Sequence, residues 1–219
     1  MEQTDLDFER IDKVGTAQFF ISEDDQYFKK RVAGETEILT KEFENLQRAT
    51  DIPPIDGLEF ITPIDVSDRY LITEYVDAES LLDTLSPGAY EQFGSRLREL
   101  HQHGHTHSEL QFNDVLYDGE TFYLTDLGYL DEREPIHDLV SPKVGIEVFK
   151  IKQPWRWRLF DRCFDRFLQG YGYENVDQDH FDDFYDQYFR KRINTYKDRD
   201  FLSWRFYLVS ALRKTGVIK

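Results

Sequence analysis

Residues Leu100–Tyr129, LHQHGHTHSELQFNDVLYDGETFYLTDLGY, are the stretch around which the rest of the chain is arranged. They read as a helix end, a tight loop, a short strand, a turn, a second strand and an acidic turn. Three carboxylates, Glu109, Asp114 and Asp126, fall in loops beside short apolar strands. Loop carboxylates fixed by adjacent strands suit the holding of a metal-bound phosphate.

Upstream the chain is rich in strand signals. Gln18–Ser22 and Tyr27–Val32 flank the turn Glu23-Asp24-Asp25 and predict a hairpin, preceded by a strand ending near Gly15. Residues 36–49, TEILTKEFENLQRA, place Ile38, Leu39, Phe43, Leu46 and Ala49 at helical spacing, and Asp51-Ile52-Pro53-Pro54 stops that helix. Two further strands are expected near Leu58–Pro63 and Tyr70–Tyr75, with Val66-Ser67-Asp68 as the turn between them. Residues 79–103 read as helical, interrupted at Ser86-Pro87-Gly88, where Ser86 is placed to cap a helix starting at Pro87.

Downstream, Asp131–Lys152 reads as irregular and polar. Trp155–Gln169, Phe181–Thr195 and Phe201–Lys214 read as three aromatic-rich helices. The expectation is one domain in two lobes, a strand-rich lobe over 1–76 and a helical lobe over 77–219, meeting near Val76–Ala78.

Among the 219 residues, 43 acidic against 27 basic side chains give a formal net charge of −16. A field of that sign repels nucleic acid and argues against it as a partner. A single cysteine, Cys163, excludes an internal disulfide and suits a reducing compartment. The first residues, MEQTDLDFER, lack the charged and apolar regions of a signal peptide, and no run approaches the roughly 20 apolar residues of a membrane span. A soluble cytoplasmic protein is the expectation.

A strand-rich lobe, one helix, a connector and a helical lobe with loop carboxylates resemble the layout of the protein-kinase-like superfamily, an α+β bilobal fold. LHQHGHTHSELQFND resembles the catalytic loop, usually LHxxGxxHxDLxxxN, and YLTDLGY the strand and metal-binding turn that follow it. LITEYVDAESL resembles the hinge between lobes, YFKKRV the strand with the phosphate-binding lysine, and KEFENL the helix with its glutamate partner. The style is most like small atypical bacterial and archaeal kinases and lipopolysaccharide-core kinases.

The resemblance covers roughly Phe8 to Tyr129. It implies ATP and Mg²⁺ as cofactors and a hydroxyl-bearing acceptor, a sugar, glycan or protein. Phosphoryl transfer relies on positioning and charge neutralisation. The resemblance gives Lys30, or Lys29, to the nucleotide phosphates and Glu42, or Glu44, to the ion pair. Adjacent strand residues face opposite ways, and sequence leaves that phase open. By the same resemblance, Thr73, Glu74, Val76 and Gly15 surround the nucleotide, Asp126 and Asp114, with Asn113 one residue early, take the metal, His107 props the catalytic loop, and Glu109 is the base.

Two positions depart from the pattern. Glu109 replaces the catalytic aspartate and Asp114 the metal-binding asparagine. One added methylene moves a carboxylate by about an ångström, a displacement that costs roughly 10²-fold in rate. Both an active phosphotransferase and a pseudokinase therefore stay open.

The alternating His101, His103, His105 and His107 invite a zinc reading, but the phosphotransferase pattern already accounts for His101, Gly104 and His107. QPWRWRLFDRCFDRF carries Trp155, Trp157, Arg156, Arg158, Arg162 and Arg166 in an otherwise acidic protein. It reads as an amphipathic core helix with flanking arginines, or as a site for an anionic substrate or a membrane headgroup. Arg133, just after the acidic turn, is placed to meet an anionic acceptor.

Overall fold

The computed structural model describes residues 7–14, 17–32 and 36–197. The chain forms two compact units. The first comprises the residues up to Thr84, with Glu99–Ser108 and Asn113–Arg133. The second comprises Leu85–Arg98, Glu109–Phe112 and the residues from Glu134 onward.

The first unit holds two sheets. Strands β1 (Phe8–Val14), β2 (Ala17–Ser22), β3 (Tyr27–Val32), β5 (Pro63–Val66) and β6 (Tyr70–Glu74) form an antiparallel sheet in the order β1-β2-β3-β6-β5. The β2–β3 hairpin turns at Asp25, which takes a positive φ of 54°. Ser22 Oγ accepts the amides of Gln26 and Tyr27 and donates to Asp24 Oδ1, closing that turn.

The predicted strand Leu58–Pro63 is in fact divided between the sheets. Strand β4 (Leu58–Phe60) pairs in parallel with β9 (Phe122–Leu124), which pairs with β8 (Val115–Tyr117) and through it with β7 (Glu79–Ser80). Its continuation forms β5 at the edge of the larger sheet.

Helix α1 (Thr36–Ala49) packs against β5 and β6. It buries Leu39, Leu46 and Ala49 of the apolar set read from sequence, together with Glu42 and Asn45, while Phe43 is half-buried and Ile38 is exposed. A short helix α2 (Leu81–Thr84) follows β7, and helix α3 is Pro87–Gln102. Ser86 Oγ accepts the Ala89 amide at 3.5 Å at the start of α3.

The second unit is helical: the first part of α3, with α4 (His137–Lys152), α5 (Trp157–Tyr171) and α6 (Gln178–Lys197). Its core is aromatic. Phe112 meets Tyr90 edge-on at 4.7 Å and Phe167 at 5.1 Å, while Phe93 stacks on Phe167 at 5.9 Å. A Cβ on Gly94 would run into the Phe167 carbonyl, and one on Gly170 into the Glu91 carbonyl, so glycine lets α3 and α5 approach backbone to backbone.

Helix α4 corrects the sequence reading of Asp131–Lys152 as irregular. No residue from His137 to Lys150 is exposed, so the segment has no polar face and hence no amphipathic period to detect. Pro142 inside it adds a further breaker signal. The predicted helix Phe201–Lys214 lies outside the described residues. Among the described residues no helix is long and apolar enough to cross a membrane.

Candidate active site

The inner face of the larger sheet is set by strand alternation. Ala17, Phe19 and Ile21 of β2, Phe28 and Lys30 of β3, and Leu71 and Thr73 of β6 line one cleft of about 660 Å³. Lys30 pairs across the sheet with Phe19 on one side and Leu71 on the other, in a mostly apolar surround. The far wall is made by Asn113, Asp114, Leu116, Thr125 and Asp126, also of the first unit.

Lys30 Nζ donates to Glu42 Oε2 at 2.8 Å and to Asp126 Oδ1 at 2.9 Å. Register decides the choice between the two lysines, because Lys29 projects from the other face. There its Nζ sits 4.3 Å from the Phe8 ring centroid and 4.8 Å from that of Tyr70. Glu42 is 4 % exposed on the buried face of α1, whereas Glu44 is exposed.

Burial alone would lower the Lys30 pKa, but Glu42 and Asp126 outweigh it and raise it. Burial pushes Glu42 up to about 7 against the pull of Lys30, and the nearby Asp126 charge adds to the rise. For Asp126 burial works upward, yet Lys30 and then His107 bring its pKa below the ordinary carboxylate value.

Asp126 stands in the left-handed region at φ 58°, where a non-glycine residue persists only if its surroundings hold it. Those surroundings are specific. Asn45 Nδ2 of α1 donates to the Leu127 carbonyl at 2.7 Å, and Leu127 is fully buried. Thr125 gives its amide (2.9 Å) and its hydroxyl (3.1 Å) to the Asp114 carbonyl. His107, 1 % exposed, shares a 2.8 Å hydrogen bond between Nε2 and the Thr125 carbonyl. Asn113 Nδ2 donates to Asp114 Oδ1 at 2.8 Å.

Thr73 is buried and donates to the Glu74 carbonyl at 3.0 Å. The Glu74 carboxylate turns to the Thr62 amide at 2.8 Å. Glu74, the last residue of β6, and Val76 just after it continue the cleft wall. Gly15 lies outside the described residues.

Two residues that motif reading passed over organise this region. Ser108, fully buried at φ 74°, accepts the amides of Glu132 at 3.1 Å and Arg133 at 3.0 Å through its hydroxyl. Asp131, at φ 63°, accepts from the Thr106 amide, His105 Nδ1 and Arg48 Nη2. Motif spacing gives no signal for either, since each ties together segments far apart in sequence.

Glu109 belongs to the second unit and is half-buried. Its neighbour Leu110 donates its amide to Asp138 Oδ1 of α4 at 3.5 Å, and Gln111 donates to the Ser141 hydroxyl. The alternating histidines do not converge, and among the described residues no group of three or more His, Cys, Asp or Glu side chains is placed as a metal site.

The cleft therefore gathers Lys30, Glu42, Thr73, Glu74, Val76, Asn113, Asp114 and Asp126. No family model matches the sequence, and no curated protein does so at a significant level. The fold has clear neighbours among solved structures. APH(2'')-IIa, solved as a ternary complex with streptomycin and ATP, matches with a TM-score of 0.60 at 10 % identity, over 88 % of this chain and 85 % of that one. The aminoglycoside phosphotransferase APH(3'')-Id from Streptomyces rimosus ATCC10970 matches with a TM-score of 0.60 at 17 % identity, over 83 % and 91 %. The ADP-bound aminoglycoside phosphotransferase APH(2'')-Ib matches with a TM-score of 0.51 at 12 % identity, over 85 % and 93 %. The chain has the α+β, bilobal fold of the protein-kinase-like superfamily.

Proposed function

We propose that this protein is an ATP- and Mg²⁺-dependent phosphotransferase acting on a hydroxyl group of a sugar, glycan or protein. The observation that carries the reading is Lys30, held between Glu42 and Asp126 on the wall of the cleft. An ammonium fixed by two carboxylates is oriented before a nucleotide arrives, and a bound phosphate then meets a preset donor. The apolar face formed by Phe19, Ile21, Phe28 and Leu71 suits a purine ring, with backbone groups of Glu74 and Val76 as its polar partners.

The residues present fit Mg²⁺. Asp114, Asp126 and Asn113 offer oxygen donors from one wall of the cleft, the ligand chemistry this hard cation takes. When bound, the ion neutralises phosphate charge. Asp126 and Asp114 would hold it, Lys30 would bind phosphate oxygens, and Glu42 keeps Lys30 in place. His107 supports the strand end at Thr125. Glu109, at the loop position of the catalytic carboxylate, accepts the proton of the acceptor hydroxyl.

The second reading is a pseudokinase that binds nucleotide without efficient transfer, and Glu109 in the place of aspartate is what favours it. A thermal shift with ATP and Mg²⁺, followed by measurement of ADP release, separates the two. The phosphotransferase reading expects a shift, turnover, and loss of turnover in Glu109→Gln. A shift with no turnover, unchanged by Glu109→Gln, selects the pseudokinase. No shift removes nucleotide binding and with it the phosphotransferase reading, leaving a pseudokinase that binds partners as a scaffold or regulator.

A further inference from the structure

The joint between α4 and α5 carries a surface that nucleotide chemistry does not use. Pro154–Arg156 is a single 3-10 turn, and Trp155 on it is 76 % exposed, the most exposed of the large hydrophobic side chains described. An indole in water is unfavourable unless something covers it. Close to it in sequence, Lys152, Arg156, Arg158 and Arg162 are all exposed, and the i, i+4 spacing of Arg158 and Arg162 puts those two on one face of α5.

The charges around Trp155 run against the rest of the molecule. In a chain with 43 acidic residues, none of these four cations forms an ion pair with a described carboxylate. Other cations of the same unit do: Arg166 binds Glu91 at 2.9 Å, Arg190 binds Asp186 at 3.5 Å, and Lys150 binds Glu147 at 3.0 Å. Asp161, the one acid between Lys152 and Arg162, is engaged by Lys150. Among the described residues the segment Lys152–Arg162 thus carries four exposed cations, with exposed Asp165 the next acid on the same face of α5, in a protein whose formal charge is −16.

We propose that this joint docks the protein on an anionic membrane surface. Trp155 seats among the lipid headgroups, and Lys152, Arg156, Arg158 and Arg162 face their phosphates. The chemistry matches on both counts: indole rings favour the headgroup level, and each nearby cation adds attraction to an anionic leaflet. A nucleic acid strand calls for an extended basic groove with several stacking platforms. Here the run of cations without a described carboxylate partner stops at Arg162, because Arg166 is paired with Glu91. One aromatic and four cations are also far fewer than the roughly 20 residues a side of a stable protein interface. A flat lipid surface asks for less.

The test is co-sedimentation of the purified full-length protein with vesicles of phosphatidylcholine alone or mixed with phosphatidylserine. Binding is expected only to the mixed vesicles and is expected to weaken as salt rises. Arg156→Glu with Arg158→Glu changes four units of charge, each worth roughly fivefold, and should lower partitioning by several hundredfold. Trp155→Ser should lower it by about tenfold. Arg156→Lys with Arg158→Lys should retain it.

All these positions are exposed, and the melting temperature of each variant checks that the fold is kept. The nucleotide thermal shift of the variants reports separately on the phosphotransferase reading. Binding to neither vesicle, equal binding to both, or binding unaffected by charge reversal overturns the proposal. So does tighter binding to a single-stranded oligonucleotide or a heparin fragment than to the mixed vesicles at the same salt.

Discussion

Two lysines in this molecule sit in nearly the same ionic setting, and they differ in what that setting leaves over. Lys30 lies between Glu42 on a helix and Asp126 on a loop; Lys150 lies between Glu147 on its own helix and Asp161 on the next. Both glutamates have side chains 5 % exposed, and both aspartates are about half exposed. Around Lys150 the charges balance, because Lys143 also reaches Glu147 at 3.6 Å, and the Trp157 ring stands 5.8 Å from the ammonium.

Around Lys30 two carboxylates face one ammonium, Asp114 lines the same cleft, and the cleft is open. The excess negative charge is one reason Glu42 rises to about 7. A balanced cluster secures a helix pair. An unbalanced one facing a cleft is ready for another cation and its anionic ligand.

The widest separation between the two is expected from Lys30→Met. It should cost about 10²–10³-fold in ADP release and abolish the nucleotide thermal shift. The melting temperature should move little, because Glu42 can take a proton and Asp126 reaches water. A large loss of stability with activity intact would erase the distinction.

Lys150→Met should do the opposite. Glu147 keeps Lys143, but losing both hydrogen bonds of the buried ammonium should cost about 1.5 kcal/mol of unfolding free energy by denaturant titration. The nucleotide shift should persist at temperatures below the lowered melt.

Glu42→Gln sharpens the comparison through pH. A carboxyl whose folded pKa lies above its ordinary 4.5 binds more protons folded than unfolded, so it favours folding at low pH and loses that contribution as pH rises toward about 7. Over that window the melting temperature of the wild type should fall relative to that of Glu42→Gln. Parallel curves would show that Glu42 titrates normally. The smallest effect belongs to Lys29→Ala, which removes only contacts with the Phe8 and Tyr70 rings, about 0.5–1 kcal/mol, and should leave nucleotide binding unchanged.

These residues also mark how far sequence reaches. The fold class was legible because the loop around His107, the Asp126-Leu127-Gly128 turn and the hinge each resemble a kinase-like motif and follow one another in the same order along the chain. The choice between Lys29 and Lys30 was not legible, since period-2 alternation has no origin until β3 is registered against β2 and β6. The split of Leu58–Pro63 between two sheets depends on β9, more than 50 residues away in the chain. Ser108 earned no notice because its hydroxyl holds the backbone amides of Glu132 and Arg133, which any residue would supply, and Asp131 because Arg48, His105 and Thr106 lie between 25 and 83 residues before it in the chain. Helix α4 escaped because burial on every side erases the alternation that reveals surface helices.

That enclosure has a kinetic counterpart. Most residues from Asp138 to Val148 are buried and none is exposed, so opening of the packed helices, more than local fraying, is expected to govern exchange of their amides. In deuterium exchange, Leu139–Val148 should be among the last amides of the helical unit to be labelled. Their rate would then report the opening of the whole unit, a direct reading of how cooperatively its helices come apart.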